Sequence, residues 1–242
     1  MMGTKPPPSA PWASLIRSPA HGPLPVLLLV LTAATGVIDA VSILALGRVF
    51  VANMTGNVVF LGMALANAPG FSLTASAAAL AGFMIGARAG GAVLRRHSGH
   101  RGRLLRDMGT GELALLAAAL VATAVAPTNG AVLAVVAGLL AIAMGLQNTA
   151  ARKLAVPDLT TTVLTMTLTG VAADLAGSGR PTTIRRLLAV LAMFTGALVG
   201  TLVVLQAAVT WALGLAMALL AVVVIAALLR SNKPEAWHTH GL

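Results

Sequence analysis

Eight apolar segments run along the chain, at roughly 24–46, 51–68, 72–94, 112–126, 130–150, 160–177, 187–206 and 208–230. Most approach the ~20 residues that a helix needs to cross a ~30 Å hydrocarbon core. No segment alternates polar and apolar positions, so the pattern excludes a membrane β-barrel. Asn67-Ala68-Pro69-Gly70 and Pro127-Thr128-Asn129-Gly130 are short turn signals between segments. The one long hydrophilic stretch, about 95–111, reads as a loop and carries Arg95, Arg96, Arg101, Arg103 and Arg106.

Two segments are poorly made for spanning. In the second, Asn53-Met54-Thr55-Gly56-Asn57 is weak helix, and the remainder, 58–68, makes about 16 Å of helix. In the sixth, Pro157-Asp158-Leu159-Thr160-Thr161-Thr162 is equally weak, which leaves roughly 21 Å. The pattern therefore predicts an all-α polytopic membrane protein. It has about six transmembrane helices plus two broken or re-entrant helices.

Charge sharpens that topology. The 242 residues carry 16 Lys and Arg against 6 Asp and Glu, a formal charge of +10. Cytoplasmic loops concentrate Lys and Arg. If all eight segments cross, either the 95–111 stretch or Arg180, Arg185 and Arg186 with both tails fall outside. If the second and sixth segments enter and leave on one side, both termini and the basic stretches are cytoplasmic. Only Arg48 is then outside, and Arg88 lies within a span. The expected organisation is a Pro-rich disordered cytoplasmic tail over 1–23, one transmembrane domain over 24–230 and a cytoplasmic tail over 231–242. The first apolar segment reads as an uncleaved span.

Composition agrees with lipid as the main partner. The chain is 58% hydrophobic and 9% charged, with a mean hydropathy of +0.93. Soluble domains carry roughly 25% charged residues to cover their surfaces. Without a basic face or an aromatic platform, nucleic-acid binding is excluded despite the charge. There is no cysteine, hence no disulfide or thiolate metal site, and no cofactor is expected.

The halves, about 24–126 and 130–230, resemble each other. Thr55-Gly56 matches Thr169-Gly170, and Gly36-Val37-Ile38-Asp39 matches Gly145-Leu146-Gln147-Asn148. Gly82 and Gly86 follow Gly56 at the spacing at which Gly196 and Gly200 follow Gly170. With six crossings these halves form an inverted repeat, and matched broken helices point to a binding site near the midplane.

Several polar residues lie at depth. Asp39 is mid-span, where an ionisable residue costs roughly 2.5–3.5 kcal/mol and marks function by default. It reads as a proton-coupling carboxylate or as a structural hydrogen-bonding group. Arg88 reads as an anion contact, a partner of Asp39, or a side chain snorkelling to the interface. Asn53, Thr55, Gly56 and Asn57 in one half, and Gln147, Asn148, Thr169 and Gly170 in the other, are expected to line a substrate path. The alternative is self-capping by their own amides and hydroxyls. Asp174, a further substrate-path candidate, reads as a carboxylate that could share a proton with Asp39 or, standing near a segment end, as a solvated or turn-capping group. His97 with His100, and His238 with His240, read as solvated loop and tail histidines rather than metal ligands. The Gly82–Gly86–Gly90 face suits close helix packing within the chain or a homodimer.

The runs Gly36-Val37-Ile38-Asp39-Ala40 and Phe50-Val51-Ala52-Asn53-Met54-Thr55-Gly56-Asn57 resemble the first signature of the bacterial YoaK-like membrane proteins. Gly145 to Asn148, with Thr161-Thr162 through Thr169-Gly170 and Asp174, resembles the second. The resemblance covers about 26–230. One departure is that Met166-Thr167-Leu168 stands where relatives carry a Thr-His pair. The resemblance implies a multi-pass protein of the bacterial inner membrane with no assigned substrate. The function expected is a small-solute secondary transporter, with a passive channel or a membrane scaffold or sensor as alternatives. No constellation suggests an enzyme.

Overall fold

A computed structural model describes residues 21–97, 99–126, 129–157, 159–162, 164–174, 180–231 and 236–239. Among the described residues the α-helices are α1 (Leu24–Ala45), α2 (Met54–Leu65), α3 (Leu73–Arg96), α4 (Arg101–Val125), α5 (Gly130–Leu154), α6 (Thr165–Asp174), α7 (Arg180–Gln206) and α8 (Val209–Ser231). A 3-10 turn, Ala236–His238, follows. No strand occurs among the described residues.

Six of the helices, α1, α3, α4, α5, α7 and α8, are long and apolar enough to cross a membrane. Of the other two, α2 is short, with 12 residues, and the described part of α6 has 10. At 1.5 Å per residue α2 spans about 18 Å, half a hydrocarbon core, and the described part of α6 about 15 Å.

Local chemistry sets the helix ends. Ser72 caps α3 by accepting from the Ala75 N–H at 3.2 Å, and Asn129 caps α5 by accepting from Val132 at 3.0 Å. The stretch 95–111 is not a loop. α3 runs to Arg96, and α4 starts at Arg101, where the His100 imidazole accepts from the Arg103 N–H at 3.2 Å. A capped start and three arginines, which are good helix formers, continue the apolar helix inward by three turns. Arg101, Arg103 and Arg106 therefore sit on a helix, not on a flexible tether.

Packing rests on glycine. α1 packs on α7 and α3 on α5, the two most extensive helix pairs. A methyl group at Gly36 would strike the backbone of Met193 and Ala197, and one at Gly196 the backbone of Ala33. A methyl at Gly145 would strike Phe83 and Ala87, and one at Gly86 would strike Ile142. Backbones this close gain dispersion contact that lipid cannot supply. The Gly82–Gly86–Gly90 face thus packs on α5 within the chain, against Gly138, Ile142 and Thr149. α4 and α8 pack on each other, and each also packs on a central helix, α5 and α1 respectively. α1 is the most enclosed span, 72% buried, and α7 the most peripheral, 17% buried. The outer face of α7 presents Leu191, Phe194, Leu198, Leu202 and Leu205, the composition expected of a lipid contact.

Candidate functional site

Both breaks in the helical pattern are pinned to the core by amide side chains. Gln147, buried on α5, donates from Nε2 to the Thr35 hydroxyl of α1 at 2.8 Å and to the Thr161 hydroxyl at 3.1 Å. Thr35 Oγ1 in turn donates to the Leu31 carbonyl at 2.9 Å. The Thr162 hydroxyl donates to Asn148 Oδ1 at 2.6 Å, and Asn148 Nδ2 donates to the Met144 carbonyl at 3.0 Å. Thr161 holds φ at +62°, a left-handed conformation that disfavours a β-branched residue. The two bonds from α5 hold that strained turn in place.

The break before α2 is built alike. Asn57 is fully buried; its Oδ1 accepts from the Phe50 N–H at 2.9 Å, and its Nδ2 donates to the Phe50 carbonyl. Phe50 stacks on Phe60 at 5.5 Å, and Phe60 tilts against Phe71 at 5.1 Å. Gly56 leaves room for the Phe50 ring, which a Cβ would strike. Asp39, 8% exposed on α1, faces the backbone amides of Val51 and Ala52. Its Oδ1 has no hydrogen-bond partner, and neither has Gln147 Oε1.

The two breaks open onto one cavity of about 670 Å³. Asn53, Thr55 and Gly56 line it from the first half of the chain, and Asn148, Thr162 and Thr165 from the second. Phe83, Met54 and Met166 supply apolar wall. No ionisable side chain among the described residues lines it. A second cavity of about 480 Å³ shares Phe83 and Asn148 and extends past Arg152, Val156 and Thr160. Irregular backbone at membrane depth must be buried in protein or line a wet cavity. The segments 51–53 and 159–162 do both.

Two effects compete over what such a cavity holds. The first turns of α2 and α6 both border it, and Asn53 makes no side-chain cap. Each helix N-terminus favours an anion by about 0.3–1 kcal/mol. Taking an ion out of water costs several kcal/mol without a countercharge. Desolvation exceeds the dipoles, so the lining favours uncharged polar groups.

The remaining predicted residues are dispersed. Arg88 is exposed on α3 and belongs to neither ion pair seen, which are His97–Asp107 and Arg106–Asp107, both at 2.6 Å. It is no partner of Asp39. Thr169 is exposed and donates to the Thr165 carbonyl at 2.9 Å, so its hydroxyl back-bonds to its own helix. Gly170 lies under the Arg186 guanidinium. The Asp174 side chain lies outside the described residues. Asp39, Gln147 and Asn57 support the cavity wall from behind, whereas Asn53, Thr55, Gly56 and Asn148 touch the cavity.

Sequence reasoning missed Glu112. It looked like the polar edge of an apolar segment, but α4 starts eleven residues earlier, which places it mid-helix and 2% exposed. The neighbouring positions Gly109 and Gly111 contact Val224 of α8 and Leu146 of α5. The signal was available in the short polar run 107–112, whose glycines and threonine concealed a continuing helix. Also unforeseen is a cluster at the ends of α4 and α5. Arg101 contacts His21 Nδ1 at 3.3 Å and donates to the Leu154 carbonyl. The His238 ring tilts against His100 with centroids 4.2 Å apart, and Trp237 covers Gly22. Partial burial, reinforced by Arg103, pulls the His100 pKa down. Among the described residues no group of three His, Cys, Asp or Glu is placed to hold a metal.

Six helices long and apolar enough to span, two helices that follow breaks in the pattern, and a polar cavity between those breaks define a multi-pass α-helical membrane protein. The chain belongs to the family described as Protein of unknown function (DUF1275), whose model matches residues 27–226. It is 35% identical over 153 residues to the UPF0700 transmembrane protein YoaK of Bacillus subtilis (strain 168), a match covering 62% of this chain and 67% of that protein. No solved structure matches.

Proposed function

We propose that the protein is a small-solute secondary transporter of the bacterial inner membrane, with both termini cytoplasmic. The observation that carries this reading is the 670 Å³ cavity walled by a broken segment from each half.

Helix packing supports an inverted repeat beneath it. α1 meets α7 as α5 meets α3, α8 meets α1 as α4 meets α5, and α6 meets α7 as α2 meets α3. Gly36 faces Met193, Gly196 and Ala197, while Gly145 faces Phe83, Gly86 and Ala87. The equivalence that fits is Gly86 with Gly196 and Gly90 with Gly200, one helical turn from the register read from glycine spacing alone. Two such halves exchange roles when the cavity opens to the other side. Asp39, with an unpartnered Oδ1 behind the first break, is the group through which protons would couple.

The test is side-specific labelling of a Thr165→Cys variant in sealed vesicles; the native chain has no competing thiol. The transporter reading expects the thiol to react with impermeant reagents from either face while the vesicles stay tight to ions. Ion leak would instead mark a channel. A thiol silent from both faces would leave only the scaffold reading.

A further inference from the structure

We infer that the solute carried is polar and uncharged, held by the side-chain amide of Asn53 and the hydroxyls of Thr55 and Thr165. This rests on the transporter reading and names its substrate class.

The polar groups lining the cavity differ in how far they are committed. Asn148 and Thr162 bond each other at 2.6 Å, and the Asn148 amide nitrogen is taken by Met144, so this pair is a finished wall. Asn53, Thr55 and Thr165 line the same cavity and make no side-chain hydrogen bond among the described residues. An amide offers two donors and an acceptor, and a hydroxyl one donor and two acceptors. That complement matches hydroxyl, amide or urea-type groups, which donate and accept together. A carboxylate only accepts and an ammonium only donates, so either would leave part of this set unused.

Charge points the same way. The described lining holds no Lys, Arg, His, Asp or Glu. Arg88 is exposed away from it, and Asp39 stands behind the break against the Val51 and Ala52 amides. Arg152 lines the adjoining cavity but not this one, so a charged solute held here would surrender hydration with no countercharge in the lining to replace it. The apolar share of the wall, Phe83, Met54 and Met166, suits the carbon skeleton of a small polar molecule.

The experiment compares three thiosulfonate reagents of similar size on Thr55→Cys and Thr165→Cys in purified full-length protein in nanodiscs. One carries a neutral hydroxyethyl group, one a sulfonate and one a trimethylammonium. Rates are normalised to the loop thiol of Ala66→Cys, and size-exclusion profiles report folding. The neutral reagent is expected to react at least about ten-fold faster than both charged ones. Asn53→Asp is expected to reverse this in favour of the ammonium reagent. A sulfonate preference would overturn the inference in favour of an anion held by the two helix N-termini, and an ammonium preference in the parent protein would overturn it in favour of a cation. Both results leave the transporter reading standing. Silence of both thiols towards all three reagents, with Ala66→Cys reactive, would mean a dry crevice and overturn the transporter reading as well.

Discussion

Asn57 shows what a buried amide does at a helix break. It returns a donor and an acceptor to Phe50, whose backbone has left the helical ladder without water to replace it. Asn57→Ala leaves both backbone groups unsatisfied, at about 1–3 kcal/mol for the site. A lowered melting temperature in detergent is expected, with a larger loss than for Thr169→Ala, whose hydroxyl is exposed and bonds only its own helix. Equal losses would show that Asn57 does not hold the break. Asp39 belongs beside Asn57, since it faces the same loop from α1. The sequence marks both as polar residues at depth; the division between wall and support arises only from which way each side chain faces.

Glycine decides how close the helices lie. Gly86 and Gly145 are where α3 and α5 approach backbone to backbone, and neither has room for a Cβ. Gly62 of α2 has nothing within 4 Å. Gly86→Ala is therefore expected to cut the yield of monodisperse protein sharply, because the whole α3–α5 contact must shift. Gly62→Ala is expected to be neutral or to stabilise by about 0.5–1 kcal/mol through helix propensity. Fluorescence-detected size exclusion with a thermal challenge separates the two. The small-residue faces were legible in the sequence. Their partner was not, because a glycine stripe packs equally well on another helix of the chain or on a second copy.

For the whole molecule, the proposed six-crossing topology implies a definite sidedness. On the proposed topology, with α2 returning to the side where α1 ends, Asn67 would be outside, and with α6 returning likewise, Arg180 would be inside. A thiol at Asn67 is expected to react from the periplasmic face, and one at Arg180 only after the cytoplasmic face is opened. Labelling of both from one face would mean that α2 or α6 crosses. On the same proposed topology the His21–Arg101–Leu154 contacts and the Trp237 cover, at the ends of α1, α4 and α5, would lie on the inner surface.

Hydropathy alone determined that the protein is helical and that it lives in lipid, because lipid forces every spanning backbone to bond within its own segment. The weak helix formers at Asn53–Asn57 and Pro157–Thr162 located the breaks. Tertiary structure decided the rest. It moved the start of α4 to Arg101, buried Glu112, detached Arg88 from Asp39 and set Gly86 rather than Gly82 opposite Gly145. Above all it brought Asn53 and Thr165, residues from opposite halves, onto one cavity. Periodicity records which residues share a helix face. Only packing between helices distant in the chain records which faces meet.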